Sequence, residues 1–335
     1  YKSDIQANGF ISRQSLDGVD LIVINSPDSN KHTFFKRAFN AFRFALLSVY
    51  YALSEPHDIV LASSGPITTA IPALFSKWFR GKKMVFEVRD LWPKGGIEMG
   101  KLNNHLVKSA ALFFEKVIYK NSHLVVACSP GMEIGVKEVN PDVRTLVISN
   151  SSDIELFQQD LGKPILPSGF RPNLPTFLYA GSLGEMDDCS QIINGLAVSQ
   201  DLEFNMVFVG DGTERRLLEN LTSKYNLSDK VFFLGLIPKT EVVKWFSISL
   251  ASFVVFKDLP VLHTNSPNKL FDSFAAGVPV IQSTRGWIAN LIKENHCGKN
   301  VDPLRPEEFA NAMKWMIHHP QEVEMMKKNA LHLAK

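Results

Sequence analysis

The feature that most constrains the fold of this sequence is a repeated alternation between short apolar runs and longer amphipathic segments. The apolar runs are rich in β-branched residues, which is typical of strands that are buried on both faces of a parallel sheet. They occur at 19–25, 58–63, 83–88, 123–128 and 145–149, and again at 176–181, 204–210, 230–235, 248–256 and 278–282. Because helical segments separate the runs, we predict two doubly wound, Rossmann-like α/β domains.

The boundary between the two domains is predicted in a stretch that has no periodicity. Residues 158–175 are rich in proline and glycine, a composition typical of a linker. We therefore predict an N-terminal domain over 1–152, a linker over 153–175 and a C-terminal domain over 176–335. Ligands of doubly wound sheets bind outside the carboxyl ends of the strands, so we expect the site in a cleft between the domains.

Charge and cysteine content exclude several classes of protein. A formal net charge of +2 over 335 residues argues against a general nucleic-acid-binding protein. The three cysteines, Cys128, Cys189 and Cys297, have no CxxC spacing, so neither a zinc site nor a disulfide framework is indicated. Reduced thiols favour the cytoplasm. No apolar run is long enough to span a bilayer, and no signal peptide is visible.

The segment SPNKLFDSFAAGVPVI, residues 266–281, combines charged and small residues at the start of a predicted helix. We predict that Ser266 caps this helix, that Pro267 is its first residue and that Gly277 ends it. The helix N-terminus and Lys269 suit a phosphate, while Asp272, one turn later, can accept hydrogen bonds from sugar hydroxyls. This pattern indicates a nucleotide site; the alternative is a solvated ion pair on a core helix.

Glycine-containing turns follow several strands of the second domain. They lie at 181–184, 210–212 and 235–239, and the start of the helix at 266–269 completes the set. Glycine allows a backbone to approach a ligand closely, and the next helix offers its N–H groups to a phosphate. We expect all four on one edge of the sheet.

A cluster of charged residues ends the strand at 83–88. Glu87, Arg89 and Asp90 precede an aromatic residue and a proline in FEVRDLWP. Unpaired charges are costly to bury, so these residues are paired, exposed or functional. An ion pair of Arg89 with Asp90 or Glu87 is one alternative; the other places Asp90 near an acceptor hydroxyl.

With these residues in view, the chain resembles a bacterial family 4 glycosyltransferase with the GT-B fold, of the type that builds O-antigen or capsular polysaccharide. The resemblance covers nearly the whole chain. It is carried by seven blocks in order: FEVRDLWP, VVACSPGM, ISNSSDIELF, YAGSLG, FVGDG, FFLGLIPK and SPNKLFDSFAAGVPVI. It also implies that the family's first strand and glycine-rich loop are absent from the residues given.

The resemblance implies retaining, metal-independent transfer of a sugar from a nucleotide diphosphate to a lipid-linked glycan, without a cofactor. The donor is expected to be a UDP-sugar carrying an N-acetylated hexose or a deoxyhexose. By resemblance, Asp272 binds ribose hydroxyls, and the residues from Gly235 to Lys239 hold the base. The remaining donor-binding assignments are Gly181, Ser182, Gly210, Ser266, Asn268 and Lys269. The catalytic assignments, in the acceptor domain, are Glu87, Arg89 and Asp90.

Departures from the family pattern leave alternatives open. Thr264 stands where the family has its first carboxylate, and Ser182 and Asp188 stand where it has a basic pair. Lys269, Lys257 or Arg285 would then supply charge to the phosphate, and His263 is a candidate for the sugar pocket. The alternatives are a UDP-sugar 2-epimerase of the same fold and a non-catalytic nucleotide-sugar-binding protein.

The helix predicted over 34–53 combines aromatic and basic residues. Phe34, Phe35, Phe39, Phe42, Leu46 and Tyr50 alternate with Lys36, Arg37 and Arg43. Such a helix can lie at a membrane interface. It can also cover the sheet of the first domain, because its apolar residues spread around most of its circumference. Peripheral contact with the cytoplasmic face of the membrane would suit a lipid-linked acceptor.

Overall fold

A computed structural model describes residues 9–26, 34–199 and 201–335, and it divides the chain into two compact units. Unit 1 comprises Tyr1–Ser149 and unit 2 comprises Asn150–Lys335. Each unit contains a parallel sheet with helices in its connections, which is the architecture that the sequence predicts.

Unit 1 contains a four-stranded parallel sheet in the order β3-β4-β5-β6. Unit 1 as a whole has six strands among its described residues: β1 (Ile11–Leu16), β2 (Val19–Ile24), β3 (Ile59–Ser63), β4 (Lys83–Val88), β5 (Leu124–Ala127) and β6 (Thr145–Val147). Its helices are α1 (Phe34–Ser54), α2 (Ala70–Arg80), α3 (Lys94–Glu98), α4 (His105–Asn121) and α5 (Pro130–Val139).

The first predicted strand does not join the parallel sheet, so that part of the prediction is wrong. Strand β2 pairs antiparallel with β1 in a separate two-stranded sheet. The connection is the pair Asp17-Gly18, and both residues have positive φ, at 51° and 80°. A two-residue turn of this kind matches the twist of a hairpin and brings the two strands together locally.

Unit 2 contains a six-stranded parallel sheet in the order β12-β11-β10-β7-β8-β9. Its strands are β7 (Thr176–Ala180), β8 (Asn205–Val209), β9 (Val231–Gly235), β10 (Ala251–Val254), β11 (Val280–Gln282) and β12 (Gly298–Asn300). Its helices are α6 (Ile154–Phe157), α7 (Ser190–Ala197), α8 (Arg215–Lys224), α9 (Lys239–Ser247), α10 (Asn268–Ala275), α11 (Trp287–Asn295), α12 (Pro306–His318) and α13 (Pro320–Ala334). The strand order reverses between β7 and β10, so the switch point of the sheet lies at their carboxyl ends.

Both faces of the unit 2 sheet are buried, as the continuous apolar runs predict. Phe177 and Tyr179 of β7 belong to one core cluster, which includes residues of α7 and α12. Leu178, between them in sequence, belongs to a second cluster with residues of α9. This alternation follows from the two-residue period of a strand. Helices on both faces therefore hold the carboxyl edge of the sheet in place.

The segment predicted as a linker packs against unit 2. Phe170 lies 5.6 Å, centroid to centroid, from the rings of both Phe232 and Trp245. Upstream of it, Phe157 of α6 lies 5.5 Å from Phe246. Aromatic contacts at these separations fix the segment on the face of the sheet that carries α9.

Helix α1 exposes part of its apolar surface. Phe39, Phe42, Leu46 and Tyr50 are exposed, whereas the side chains of Phe34 and Phe35 lie outside the described part of the chain. On its other side the helix packs against α2. Within the described ranges, no helix has the length and apolarity that crossing a membrane requires.

Candidate active site

Helix α10, which carries Lys269 and Asp272, begins one residue later than the sequence predicts. Pro267 is its N-cap residue and makes no side-chain cap hydrogen bond, so both the Ser266 cap and the helical position of Pro267 are wrong. Ser266 Oγ instead accepts a hydrogen bond from the backbone N–H of Asn150 at 3.2 Å. A serine caps a helix only from the N-cap position, and Ser266 lies one residue before it.

The other end of α10 follows the prediction. Gly277 has φ of 65°, the left-handed conformation that glycine adopts without strain. Its N–H donates to the carbonyl of Phe274 at 2.9 Å, and the N–H of Val278 donates to the carbonyl of Ser273 at 2.8 Å. This pair of hydrogen bonds is a Schellman motif, so the predicted helix end at Gly277 is confirmed.

The turns after β7 and β8 pack against each other, backbone to backbone. The N–H of Gly181 donates to the carbonyl of Val209 at 2.9 Å, and that of Leu183 donates to the carbonyl of Asp211 at 3.1 Å. A Cβ on Gly210 would lie 1.8 Å from the carbonyl oxygen of Gly181. Contact between the two loops therefore requires glycine at this position, independently of any ligand.

The Lys269 side chain is buried among three partners. Its ammonium lies 2.6 Å from Asp187 Oδ1 and 2.8 Å from the Tyr179 hydroxyl, and 4.4 Å from the centroid of the Phe256 ring. The Tyr179 hydroxyl in turn donates to the Ser182 carbonyl at 2.6 Å, which connects the turn after β7 with α10. Asp187 thus compensates the charge that the sequence assigns to a phosphate.

Burial keeps the Tyr179 hydroxyl protonated. Desolvation is the main cause that raises the pKa of Tyr179 well above its usual value. The hydroxyl therefore remains a donor to Ser182 while it accepts from Lys269. This chain of hydrogen bonds fixes the turn at 181–184 relative to the helix that follows β10.

Two further cations at this sheet edge are also paired with carboxylates. Lys257 Nζ lies 3.2 Å from Glu185 Oε1, and Arg285 Nε lies 3.2 Å from Asp258 Oδ1. His263 Nε2 contacts the same Asp258 oxygen at 3.0 Å. The hydrogen bond from Arg285 is the main cause that lowers the pKa of Asp258. Each cation that the sequence offers for a phosphate therefore has a carboxylate partner in the structure.

One carboxylate oxygen of Asp272 is held by two partners. The Ser152 hydroxyl donates to Oδ1, and Lys239 Nζ lies 3.6 Å from the same oxygen. Among the described residues, none donates a hydrogen bond to Oδ2, and the side chain is 20% exposed. The alternative of an ion pair with Lys269 is not formed, because Lys269 contacts Asp187 instead. Asp272 is thus oriented with one oxygen available.

The turn after β9 completes the edge that the sequence predicts. The N–H of Gly210 donates to the carbonyl of Gly235 at 2.9 Å, which connects the turns after β8 and β9. Gly235 has φ of 73°, and Lys239 begins α9. We call these turns, 181–184, 210–212 and 235–239, together with residues 266–272 and the ion pairs of Lys269 with Asp187, Lys257 with Glu185 and Arg285 with Asp258, the donor edge.

The start of α10 presents unpaired backbone donors at the donor edge. Asn268 is its first residue and is exposed. The N–H of Leu270 donates to the Pro267 carbonyl at 3.0 Å, but in the described part of the chain no acceptor contacts the N–H groups of Asn268 and Lys269. Unpaired N–H groups at a helix start are suited to an anion.

The charged residues at the end of β4 and directly after it, in unit 1, do not form the structural ion pairs considered above. Glu87 accepts a hydrogen bond from the Ser63 hydroxyl, and the N–H of Arg89 donates to Ser64 Oγ at 2.9 Å. No carboxylate of the described residues pairs with the Arg89 guanidinium. Although Asp90 keeps solvent contact, surrounding protein atoms desolvate its carboxyl and raise its pKa, and the charge of Arg89 opposes this effect.

The cysteines and candidate metal ligands show no further site. Cys128, Cys189 and Cys297 are free and buried. Across the residues that the structure describes, no group of three or more His, Cys, Asp or Glu side chains is arranged to hold a metal ion.

Three residues at the donor edge were missed by sequence reasoning. Asp187 and Tyr179 bind Lys269, and Ser152 binds Asp272. Asp187 carried a weak signal, since it is an acidic residue shortly after a glycine turn. Ser152 lies 120 positions from its partner, so only the tertiary fold brings the two together.

Comparison with known proteins gives a family match for most of unit 2. The family described as "Glycosyl transferases group 1" matches residues 167–332. D-rhamnosyltransferase WbpZ of Pseudomonas aeruginosa is 28% identical over 158 residues, which cover 46% of this chain. The matched region spans 39% of the length of that relative.

Solved structures resemble the chain over more of its length. Sucrose-phosphate synthase from Thermosynechococcus elongatus gives a TM-score of 0.73 at 19% identity, and the match covers 96% of this chain and 79% of the synthase chain. Anabaena HepE in complex with UDP gives a TM-score of 0.66 at 15% identity, and the match covers 88% of this chain and 77% of the HepE chain. These similarities show a shared GT-B-type fold of Rossmann-like α/β domains and confirm the predicted fold class.

Proposed function

We propose that the chain, whose residues 167–332 match the group 1 glycosyl transferases, transfers a sugar from a nucleotide-diphosphate donor to an acceptor hydroxyl. The donor binds at the donor edge of unit 2, and residues of unit 1 bind the acceptor. The topology supports this assignment, because the donor edge lies at the switch point of a doubly wound sheet.

The observation that carries the proposal is the geometry of Asp272. Ser152 and Lys239 hold Oδ1, whereas Oδ2 has no donor among the described residues. A carboxylate that is already oriented loses little conformational entropy on binding and can accept hydrogen bonds from two neighbouring ribose hydroxyls. Lys239 Nζ, 3.6 Å from Oδ1, attracts this carboxylate and helps to hold its orientation.

The diphosphate is bound by the start of α10. The N–H groups of Asn268 and Lys269 have no acceptor among the described residues, and the helix dipole adds partial positive charge. Asp187 compensates Lys269, so the ammonium serves chiefly to position the helix against the β7 turn. Backbone donors fixed in this way stabilise the charge that develops on the leaving diphosphate.

In unit 1, Asp90 positions the acceptor hydroxyl, with Glu87 and Arg89 beside it. In retaining transfer the departing phosphate oxygen accepts the acceptor proton, so Asp90 orients that hydroxyl without becoming protonated. We expect Asp90→Ala to abolish transfer while nucleotide binding persists. Unchanged turnover in this variant would remove Asp90 from the site.

The donor is proposed to be a UDP-sugar that carries an N-acetylated hexose or a deoxyhexose. Two comparisons support this choice: the fold relative from Anabaena was solved with UDP, and the Pseudomonas relative is named a rhamnosyltransferase, which transfers a deoxyhexose. The proposed acceptor is a lipid-linked glycan in surface polysaccharide synthesis, and the proposed location is the cytoplasm or the inner face of the membrane.

A thermal-shift screen tests the donor assignment. UDP-, GDP- and dTDP-sugars are compared on the wild-type chain, on Asp272→Asn and on the exposed-surface control Asp229→Asn. We expect one donor class to stabilise the wild type and the control, and to lose at least about tenfold in affinity for Asp272→Asn, since a charge-assisted hydrogen bond is replaced by a weaker one. Equal stabilisation of all three proteins would contradict the assignment.

Contact with a membrane surface is proposed for α1. Its exposed Phe39, Phe42 and Tyr50 lie on the same helix as the exposed Lys36 and Arg37, an arrangement suited to the interface of an anionic bilayer. Cosedimentation with anionic vesicles is expected for the wild type and reduced for Lys36→Glu/Arg37→Glu. Equal sedimentation of the two proteins would contradict this contact.

A second candidate is a nucleotide-sugar-binding protein without transferase activity. Thr264 replaces the family's first carboxylate, and the cations of the donor edge are compensated by Asp187, Glu185 and Asp258. Binding of a UDP-sugar with neither hydrolysis nor transfer, across a panel of glycan acceptors, would favour this candidate.

A further inference from the structure

A second site is indicated at the opposite edge of unit 1, where the strands begin. A cavity of about 750 Å³ opens there, between the C-terminal ends of α2 and α4 and the residues that precede β5 and β6. Seven of its lining residues are basic or imidazole side chains: Lys77, Lys82, Lys83, Lys116, Lys120, His123 and Arg144. Asp142 is its single acidic lining residue. We call this cavity the basic pocket.

Most of these cations have no charge partner. Within the described ranges, no carboxylate pairs with Lys83, Lys116, Lys120 or Arg144. Lys82 Nζ lies 3.9 Å from Asp58, whose side chain is fully exposed, so water screens that pair strongly. A concave surface lined by one sign of charge focuses its field and raises the local concentration of counter-ions.

Helix ends explain only part of this cluster. Cations are favourable near helix C-termini, and Lys77 and Lys120 lie in the last turns of α2 and α4. Lys82, Lys83 and Arg144, and also His123, lie outside the helices. Lys116 lies in α4 but before its last turn. Stabilisation of helix ends therefore does not account for five of the seven side chains, whereas binding of a multiply charged anion accounts for all of them.

We propose that the basic pocket binds a ligand with several phosphate charges. Lysine is well suited to phosphate as a compact charge with three donors, and the cavity is large enough for more than one phosphate group. The site lies wholly within unit 1 and does not depend on the function proposed above.

The ligand's phosphates come either from a soluble compound or from lipid headgroups. Exposed aromatic side chains lie on the two helices that line the pocket: Trp78 and Phe79 on α2, exposed by 51% and 70%, and Phe113 on α4, exposed by 70%. The indole N–H of Trp78 donates to Asn121 at the end of α4, at 3.0 Å. Aromatic residues beside cations are suited to a bilayer interface, so lipid headgroups form one arm of the test.

The experiment uses inorganic tripolyphosphate in isothermal titration calorimetry at low salt. The test variant is Lys116→Gln/Lys120→Gln, which removes two exposed charges of α4. The matched control is Lys101→Gln/Lys108→Gln, which removes two charges of unit 1 outside the pocket. We expect the test variant to bind at least about tenfold more weakly than the wild type, and the control to stay within about twofold.

Two further arms identify the source of phosphate and separate this site from the donor edge. Lys116→Gln/Lys120→Gln should bind UDP like the wild type, because both side chains lie outside the donor edge. The wild type is sedimented with phosphatidylglycerol vesicles and with phosphatidylcholine vesicles. If it binds only the former, and Lys116→Gln/Lys120→Gln abolishes that binding, lipid headgroups are the ligand. Tripolyphosphate binding without vesicle binding identifies a soluble phosphate compound. Equal tripolyphosphate affinities of the test and control variants, with equal vesicle binding, would overturn the proposal.

Discussion

The donor edge of unit 2 and the basic pocket of unit 1 both collect cations, but they differ in how those cations are compensated. At the donor edge, Lys269 is buried against Asp187, and Arg285 contacts Asp258. In the basic pocket, Lys116, Lys120 and Arg144 have no carboxylate partner in the described part of the chain. The donor edge therefore uses its charges to fix its own loops, whereas the pocket keeps its charges available.

This difference changes what each region can recognise. A rigid edge with paired charges binds through oriented backbone N–H groups and one carboxylate, which favours a ligand of defined geometry. A pocket of unpaired cations attracts any ligand with enough negative charge, and salt screens that attraction. Removal of the buried charge of Lys269 at the donor edge should therefore lower the stability of the fold, while removal of exposed charges in the pocket should affect binding alone.

The largest expected effect is the loss of stability on removal of the Lys269 charge. Lys269→Met leaves Asp187 buried without a counter-charge, which should lower the free energy of unfolding by about 3–5 kcal/mol. Lys120→Met, in the basic pocket, should change it by about 0.5 kcal/mol or less, because the side chain is exposed. Urea unfolding followed by circular dichroism measures both.

The double variant Lys269→Met/Asp187→Leu serves as the control for this prediction. It replaces the buried pair by apolar groups and should recover most of the lost stability. Similar losses for Lys269→Met and Lys120→Met would show that the two regions do not differ in the way described.

The packing of the donor-edge loops gives the next effect. Gly210→Ala places a Cβ 1.8 Å from the Gly181 carbonyl oxygen at φ of 133°, and backbone cannot move aside as a side chain can. We expect this substitution to lower the free energy of unfolding by about 3 kcal/mol. Gly235→Ala, at φ of 73°, meets only the flexible Arg215 side chain at 3.2 Å and should cost about 1 kcal/mol. Equal losses in urea unfolding would contradict the loop packing.

The smallest expected effect concerns the carboxyl group beneath the basic pocket. Burial raises the pKa of Glu115 to about 7 from its usual value of 4.5, while the Tyr119 hydroxyl, 3.1 Å away, and the charge of Lys94 oppose the shift. The folded chain thus binds more protons than the unfolded chain between these two values, and its stability falls as pH rises through this window. Between pH 4 and pH 8 we expect the free energy of unfolding of the wild type to fall by about 2–3 kcal/mol more than that of Glu115→Gln.

The measurement is urea unfolding of the wild type and of Glu115→Gln at several values of pH from 4 to 8. Parallel pH profiles for the two proteins would show that Glu115 is ionised in the folded chain at neutral pH. In that case it would contribute a carboxylate beneath the pocket, and the contrast with the donor edge would weaken.

Local patterns predicted most strands of unit 2 but missed two polar strands, β12 in unit 2 and β1 in unit 1. The strands at 176–180, 205–209 and 231–235 were predicted because their apolar runs are continuous. Strand β12, with the sequence GKN, has no apolar signal, and β1 is largely polar. A signal for the β1-β2 hairpin was present in Asp17-Gly18, since this pair between strands favours a two-residue turn.

The candidate site was predictable in its elements but not in its pairings. The glycine turns and the helix with Asp272 follow from local turn and helix chemistry. The pair of Lys269 with Asp187 joins residues 82 positions apart, and local patterns carry no information on such contacts. For the same reason the sequence assigned Lys269 to a ligand, although the fold supplies it with a partner.

The most direct test of the nucleotide site is a crystal structure of the chain with UDP. We predict a ribose hydroxyl oxygen within hydrogen-bonding distance, about 3 Å, of Asp272 Oδ2, and diphosphate oxygens facing the N–H groups of Asn268 and Lys269. A nucleotide bound elsewhere, or bound at the donor edge without contact to Asp272, would contradict this site.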